Sequence, residues 1–175
     1  MPFPTSTDAD PAAPRGDELA AVTRQHAELY LAGCYGDVLP GSARCVHADA
    51  RVEVWLVGWA PGEWTGLHDR GAAAGAFTVA DGTLLERVPV GWSDGWMSLR
   101  DIRRGAGATA TFTRHHIHDL GTEPGAVPAV SVHAYSPPLP SVRRYEVAGG
   151  ELVALRAETS DVSDASDTET LRWAS

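Results

Sequence analysis

The sequence predicts an all-β fold, either a sandwich or a barrel, that follows a single N-terminal helix. Three observations lead to this prediction. Short segments rich in β-branched and aromatic residues recur along the chain, Gly and Pro turns separate them, and no βαβ alternation or repeat of about 20 to 50 residues interrupts the pattern. A chain of 175 residues also suits one domain with its own hydrophobic core.

The helix is predicted over residues 18–32, near the start of the chain. The residues that recur there at helical spacing are Leu19, Val22, His26, Leu29 and Tyr30. Asp17 carries a side chain that favours the N-cap, so we expect the helix to begin after it. Glycines and a proline in residues 33–41 are expected to end the helix and form a loop.

The strands are predicted from residue 51 onward. Residues 51–59 are rich in β-branched and aromatic side chains, which favour a strand. Residues 76–79 and 83–88 flank Asp81-Gly82, a dipeptide typical of a tight turn, so we expect a hairpin there. The other predicted strands, each bounded by turn residues, are 65–70, 96–102, 108–118, 129–135, 141–147 and 151–158.

Composition divides the chain into one folded domain and two tails. Residues 1–16 are rich in Pro, Ala, Asp, Ser and Thr, and we expect them to be disordered. Residues 17–158 are expected to form the single domain. Residues 159–175 form a Ser- and Asp-rich acidic tail that should be disordered as well, apart from a contact through Trp173.

The charge and hydropathy of the chain exclude several function classes. The formal net charge is -9, so the basic surface that binds nucleic acid or anionic lipid is not expected. No apolar run approaches 18 residues, which argues against a membrane span. Residues 1–16 lack the basic start and apolar segment of a secretory signal, so we expect a cytoplasmic protein.

Histidines are concentrated in the strand-rich part of the chain, where five of the seven lie between His68 and His133. Residues two apart on a strand point to the same side of a sheet. The sets expected to share a side are His68 with Arg70, His116 with His118, and Ser131 with His133 and Tyr135. If these sides converge inside the fold, they form a polar pocket lined by imidazoles, a geometry typical of metal sites.

Two blocks of sequence resemble the bacterial cysteine dioxygenases of the cupin superfamily. The first is WLVGWAPGEWTGLHD at residues 55–69, with GAFTV at 75–79 and GTLLE at 82–86; it is similar to the family pattern W-x-P-G, H-D-H and G-x-L-x-E. The second is His118-Asp-Leu with AVSVHAYSPPL at 129–139, similar to the third metal histidine and S-x-H-x-Y-S-P-P. The resemblance covers roughly residues 44–145 and implies a cupin, jelly-roll-like β-barrel.

The resemblance implies a metal site with one altered position. In the family, three histidines hold Fe(II) and leave positions open for a thiolate and O2. His68 matches the first histidine and His118 the third, but Arg70 stands in the second position of H-x-H. Arginine stays protonated and has no lone pair for a metal, so it cannot be a ligand.

Four explanations of Arg70 remain open at this point. Iron binds to two histidines, with water and substrate completing its coordination, or His116 supplies a replacement ligand. Alternatively the protein has lost the metal and become a binding pocket or scaffold, or Arg70 is a damaged position, since one base change converts His to Arg. Imidazole ligands also leave open another metal, such as zinc, copper or nickel.

The resemblance assigns a second group of residues around the metal. Ser131, His133 and Tyr135 match the family's hydrogen-bonded set, in which the tyrosine hydroxyl lies near the bound substrate and oxygen. Some family members cross-link this tyrosine to a cysteine, whose place is taken here by Gly75, so no cross-link is expected. Ser136-Pro137 is similar to a cis peptide bond of the family.

The functional hypothesis is an Fe(II)-dependent oxygenase that adds O2 to the sulfur of cysteine or a related small thiol. Arg44 roughly matches the family arginine that binds the substrate carboxylate, and Arg70 is a second residue suited to that task. The alternative is a metal-free or metal-poor cupin that binds a small anion without catalysis. The sequence leaves the oligomeric state open between monomer and dimer.

Overall fold

The computed structural model describes residues 14–93, 96–138 and 141–159. Within them the chain forms one helix, α1 (Gly16–Leu31), and eleven strands, which confirms the predicted all-β fold with an N-terminal helix. The strands are β1 (Ser42–Ala48), β2 (Glu53–Trp59), β3 (His68–Asp69), β4 (Ala74–Asp81), β5 (Thr83–Ser93), β6 (Trp96–Gly105), β7 (Thr109–Phe112), β8 (Asp119–Gly121), β9 (Ala129–Ser136), β10 (Ser141–Ala148) and β11 (Glu151–Thr159).

The strands form one large sheet and two smaller ones. The large sheet has the order β1-β2-β9-β4-β7, and the smaller sheets have the orders β11-β10-β3 and β6-β5-β8. Two isolated antiparallel bridges, Trp64 with Gly121 and His68 with His118, join the edges of the smaller sheets. Among the described residues the sheets pack in the jelly-roll-like manner that the resemblance implied, without closing into a barrel.

Helix α1 covers the outer face of the five-stranded sheet. Its buried residues Leu19, Ala20 and Ala27 pack against alternate apolar residues of the sheet, which include Val54, Leu56, Ala76, Ala80, Val130, Val132 and Ala134. Thr23 is also buried, and its hydroxyl lies 2.8 Å from that of Thr78 on β4. The helix thus buries the apolar side of the sheet and satisfies a polar pair beneath it.

The opposite face of the same sheet points into the molecule. Val57 and Trp59 of β2 pack there with Phe77 and Val79 of β4 and with Leu84 and Leu120 of the smaller sheet β6-β5-β8. Every residue of β9 is buried, because α1 covers one side of the strand and the opposing sheet covers the other. Residues that alternate along β2 and β9 consequently face either the helix or the interior.

The predicted hairpin between residues 76–79 and 83–88 is wrong. Both segments are strands, but β4 pairs with β7 and β9, whereas β5 pairs with β6 and β8. The chain passes from one sheet to another at Gly82, whose φ is 76°. A Cβ atom on Gly82 would lie 2.8 Å from the Cβ of Ala129, so only glycine allows this close approach.

Two other strand predictions fail near the histidines. Residues 108–118 form only the short strand β7, and a turn follows in which His115 has a φ of 58°. The face shared by His116 and His118 therefore does not come from a strand. Residues 65–70 contain only the two-residue strand β3, and β1 was not predicted at all.

The helix begins slightly earlier than predicted. Arg15 is its N-cap, and the Arg15 backbone N–H donates to the Glu18 carboxylate at 3.3 Å. Asp17, the predicted N-cap, lies in the first turn, where its negative charge favours the helix N-terminus. Disorder was predicted for residues 1–16 and 159–175, but Gly16 begins α1 and Thr159 ends β11. The rest of that prediction, for residues 1–13 and 160–175, and the predicted Trp173 contact lie outside the described residues. The described part of the chain holds no helix with the length and apolarity that crossing a membrane requires.

Candidate metal centre

His68 and His118 face each other where the two smaller sheets meet. Their backbones form an antiparallel bridge, with N–O distances of 2.9 Å and 3.0 Å. Their rings lie 5.0 Å apart between centroids, and both side chains are about 2% exposed. The bridge therefore brings together two imidazoles that are 50 residues apart in the sequence and places both in the interior.

The ring nitrogens of the two histidines have different partners. The Nδ1 atom of His68 lies 2.9 Å from the carbonyl oxygen of Gly66, and the Nδ1 atom of His118 lies 3.1 Å from a carboxylate oxygen of Glu86. The Nε2 atom of His68 is buried without a hydrogen-bond partner. Burial lowers the pKa of both rings, and the charge of Arg70 lowers it further, so both imidazoles are neutral.

Glu86 orients His118 and is a site residue to which the sequence had assigned no role. Its Oε2 accepts a 2.6 Å bond from Arg104, and its Oε1 lies 3.1 Å from His118 and 3.7 Å from His116. Burial opposes ionisation of Glu86, but its contact with His116 and its hydrogen bonds from His118 and Arg104 outweigh burial and hold the pKa well below its usual range. Glu86 is part of the G-x-L-x-E motif, but only its contacts in the structure indicate that it orients His118.

Glu86, His116 and His118 also form a group whose ligand atoms lie within 4.8 Å of one another. The Glu86 oxygen that approaches both histidines is on the Nδ1 side of His118. His116 therefore lies on the side of His118 where Glu86 holds it. The ring of His116 stacks on that of Phe112, with 5.6 Å between the ring centroids. The carboxylate–histidine arrangement is typical of the residues that orient a metal ligand.

The donor set fits a metal ion held by His68 and His118. Each ring binds an acceptor through Nδ1, which fixes the tautomer that leaves Nε2 with a lone pair. Buried polar atoms normally have a hydrogen-bond partner. The unpartnered Nε2 of His68 is therefore consistent with a role as a metal ligand. Two neutral imidazoles and a supporting carboxylate suit several divalent transition metals.

Arg70 is buried beside this pair, as its position in the motif predicted. Its guanidinium carbon lies 5.0 Å from the centre of the Tyr135 ring, a cation–π geometry, and the residue is 8% exposed. Burial lowers the pKa of His68 and of His133, and the positive charge of Arg70 lowers both further. The structure thus places a fixed positive charge where the family has a third imidazole.

A hydrogen-bonded chain runs along the inner face of β9 to Tyr135. The indole N–H of Trp59 donates to the Ser131 hydroxyl at 2.8 Å, the Ser131 hydroxyl lies 2.7 Å from Nε2 of His133, and Nδ1 of His133 lies 3.3 Å from the Tyr135 hydroxyl. Burial lowers the pKa of His133 to about 3 and raises that of Tyr135. The imidazole is therefore neutral and the phenol keeps its proton. Trp59, which the sequence did not single out as a site residue, extends the chain.

Gly75 lies directly across from Tyr135 in the pairing of β4 and β9. A Cβ atom on Gly75 would lie 2.4 Å from the ring of Phe112, so that ring occupies the space of a side chain. The position matched to the family's cross-linking cysteine is therefore filled by Phe112. The Ser136-Pro137 peptide bond that ends β9 is cis, as predicted.

Arg44 is not brought together with the other residues. It lies on β1, and its side chain is exposed, with the guanidinium donating to the carbonyl oxygen of Tyr35. Its neighbour Ala43 is the residue of β1 that faces the interior core. The side chain of Arg44 points away because successive residues of a strand alternate between faces.

Glu53 and Trp55 belong to the inner face of β2, and the sequence did not single out either as a site residue. Glu53 pairs across strands with Tyr135, and Trp55 pairs with His133. Glu53 is 8% exposed, and its Oε1 atom is buried without a hydrogen-bond partner. The indole nitrogen of Trp55 is also buried and unpartnered. A strand pattern alone could not separate these two residues from the solvent-facing positions of a sheet.

A comparison with known families agrees with these features. The family described as cysteine dioxygenase type I matches residues 42–148, which is more than half of the chain. The matched part contains every strand from β1 to β10, and with them His68, Arg70, His118 and Tyr135. No curated protein matches the chain.

Solved cupin structures resemble the fold at low identity. An oxalate oxidase is 20% identical with a TM-score of 0.46, covering 59% of this chain and 55% of its own, so the chain spans about half its length. A cupin-2 domain protein from Shewanella frigidimarina NCIMB 400 is 14% identical with a TM-score of 0.45, covering 63% and 95%. The polyketide cyclase RemF from Streptomyces resistomycificus is 18% identical with a TM-score of 0.47, covering 63% and 78%.

Proposed function

The chain belongs to the cysteine dioxygenase type I family, and from that premise we propose that it is an Fe(II)-dependent oxygenase of cysteine or a related small thiol. The observation that carries the proposal is the pair His68 and His118. Both imidazoles are buried and neutral, and the Nε2 atom of His68 has no hydrogen-bond partner. Such a pair is suited to binding a metal ion inside the protein.

The proposed reaction inserts both atoms of O2 at the thiol sulfur and yields a sulfinate and a proton. Sulfur loses four electrons and O2 gains four, so the reaction needs no external reductant. Bound Fe(II) would supply adjacent open positions for the thiolate and O2 and would lower the pKa of the thiol. The residues of the chain would then hold and orient the reactants.

Each residue of the site has a defined task in this proposal. His68 and His118 hold the metal. Glu86 fixes the orientation of His118 because its carboxylate accepts a hydrogen bond from the Nδ1 of that histidine. Tyr135 keeps its proton, because burial raises its pKa, and therefore donates a hydrogen bond to the bound reactants. His133 and Ser131 hold that hydroxyl in place.

Arg70 suits the carboxylate of the substrate, because a guanidinium donates two parallel hydrogen bonds to a carboxylate. Its side chain is buried over Tyr135, whereas that of Arg44 is exposed. An anion placed between the metal and Arg70 also offsets the repulsion between the two cations. We therefore assign the substrate carboxylate to Arg70, and Arg44 stands outside the proposed site.

Metal content and oxygen uptake test the proposal directly. Protein purified after expression with added iron should contain iron, measured by elemental analysis, and should consume O2 with cysteine. The sulfinate product should form with the same stoichiometry as the O2 consumed. Protein that contains no metal under these conditions contradicts the proposal.

Arg70, which takes the place of the second histidine of H-x-H, is buried, and this favours a second candidate function. That candidate is a cupin that binds a small anion without catalysis. That protein would fold normally in chelator and consume no O2 with any thiol. The substitution Arg70→His separates the two candidates. If the wild type is inactive and Arg70→His gains both iron and oxygen uptake, the second candidate holds; if the wild type is active and Arg70→His impairs it, the first holds.

A further inference from the structure

Glu86, His116 and His118 form a second group of metal-ligating side chains, on the Nδ1 side of His118. Their ligand atoms all lie within 4.8 Å of one another. The Oε1 atom of Glu86 is 3.1 Å from Nδ1 of His118 and 3.7 Å from Nε2 of His116. The ligands of a tetrahedral zinc ion lie about 3.3 Å apart, because each bond from zinc to nitrogen or oxygen is about 2.0 to 2.2 Å long. Two of the three separations are already close to this value.

The three side chains also have the chemistry and the access that a zinc ion requires. Two imidazoles and one carboxylate are a donor set that proteins use for zinc. Glu86 is ionised, and Arg104 holds its Oε2 at 2.6 Å, so its Oε1 is the oxygen directed at the histidines. The side chain of His116 is 32% exposed, whereas that of Glu86 is 4% exposed. The group can therefore be reached from solvent past His116, a residue to which the proposed function gives no task.

His118 cannot be a ligand on both of its sides while it is a neutral imidazole. A neutral imidazole carries one proton on its two ring nitrogens and offers one lone pair. When Nδ1 of His118 donates to Glu86, the lone pair is on Nε2, which serves the metal position shared with His68. When a metal binds Nδ1, the proton is on Nε2, and His118 is lost to that position.

We propose that Glu86, His116 and His118 bind a zinc ion, and that this ion and a metal ion held by His68 and His118 exclude each other. Zinc binds nitrogen and oxygen ligands more tightly than Fe(II) does, so zinc should displace iron. No electron is transferred, and His118 keeps one proton, which moves from Nδ1 to Nε2. The displacement of iron rests on the proposed function, whereas the binding of zinc does not.

Zinc affinity of the metal-free protein, measured by competition with a chelator, tests the binding. His116→Gln removes a ligand of the zinc position alone and should weaken zinc at least about tenfold. His68→Gln removes a ligand of the other metal position and should leave the zinc affinity within about twofold. His47→Gln makes the same change on β1, where the side chain is 45% exposed, and should leave it unchanged. Equal zinc affinities for wild type and His116→Gln overturn the proposal.

NMR of the ring nitrogens of His118 tests the position of the proton. In metal-free protein the proton should be on Nδ1, where Glu86 accepts it. After one equivalent of zinc, Nδ1 should be metal-bound and the proton should be on Nε2. A zinc-bound protein in which the proton of His118 stays on Nδ1 contradicts the proposal.

A titration of iron-loaded protein with zinc tests the exclusion. Each zinc ion bound should release one iron, and His116→Gln should require at least about tenfold more zinc for the same release. Zinc and iron bound together in one chain, or release that is the same in His116→Gln, overturn the proposal. A chain that never loads iron loses the proposed function, and the zinc affinities and the proton of His118 then decide the inference alone.

Discussion

The two faces of the five-stranded sheet differ in what their residues require. The outer face, covered by α1, is built mainly from Val, Leu and Ala, and its buried threonines Thr23 and Thr78 are hydrogen-bonded to each other. The inner face carries Glu53, Ser131, His133 and Tyr135 among its apolar neighbours. The same strands, β2 and β9, supply both faces, because their side chains alternate.

The difference shows how this fold separates stability from chemistry. The outer face buries apolar area, and its buried threonines are hydrogen-bonded, so its burial stabilises the fold without the cost of unmet polar groups. The inner face holds neutral histidines with lowered pKa values and polar atoms without partners, an arrangement that costs stability and is useful only when a ligand or metal binds. Substitutions on the two faces should therefore produce different kinds of loss.

The largest effect on stability is expected on the outer face. Leu56 is fully buried there, and Leu56→Ala should lower the free energy of unfolding by about 2 to 5 kcal/mol through lost burial and a cavity. Urea unfolding measures the change. The affinity for iron, measured by competition with a chelator at a temperature where the variant stays folded, should remain within about twofold of wild type. A selective loss of binding would show that the two faces are coupled.

A smaller effect, on metal affinity, is expected where Glu86 supports His118. Glu86→Gln removes the negative charge that orients the imidazole and should weaken metal binding about 10- to 100-fold, measured by competition with a chelator. Glu123→Gln makes the same change in an exposed ion pair with Arg103 and should leave metal affinity unchanged. Equal affinities for wild type and Glu86→Gln would remove Glu86 from the site.

The inner face should also make stability depend on pH. The pKa of His133 is about 3 in the folded protein and about 6.5 in the unfolded chain, so below pH 6.5 the unfolded state binds more protons. The free energy of unfolding should fall by about 1.4 kcal/mol per pH unit from His133 between about pH 5.5 and 4.

Two measurements check this dependence on pH. Urea unfolding at several pH values gives the slope, which should be flatter in a His133→Gln variant. NMR of the ring nitrogens should show a neutral His133 at pH 5. A ring that becomes protonated near pH 6.5 in the folded protein would contradict the prediction.

The smallest effect is expected for the polar pair on the outer face. Thr23→Val removes one hydroxyl of nearly the same volume, while Thr78 keeps its 2.9 Å hydrogen bond to Thr109. The free energy of unfolding should therefore fall by only about 0.5 to 1.5 kcal/mol, measured by urea unfolding. Ser131→Ala on the inner face leaves both Trp59 and His133 without their partner and should cost more.

Much of the fold, and the site residues that lie in motifs, were predictable from the sequence. The all-β fold, the N-terminal helix and β9 were recognisable because local composition and alternation carry them. The pairing of strands was not, and the predicted hairpin failed because Gly82 sends β5 to another sheet. The turn around His115 was missed since a single positive φ at a non-glycine residue has no clear sequence signal.

The same limit applies to the residues of the site. His68, His118, Arg70 and Tyr135 stand in motifs, and the family match covers all of them. Glu53 stands in no motif, and its position across from Tyr135 appears only when β2 pairs with β9. Arg44 shows the reverse case, because it matched a motif loosely and its strand turned it outward.

The sequence by itself determined which chemical groups this protein has at its motif positions, including an arginine where the family has a histidine. It did so because the identity of each residue and the short spacings within a motif can be read without knowledge of the fold. The tertiary structure alone decided which groups meet. The bridge between His68 and His118 and the pairing of Glu53 with Tyr135 join residues far apart in the chain, and such long-range contacts depend on how the sheets pack.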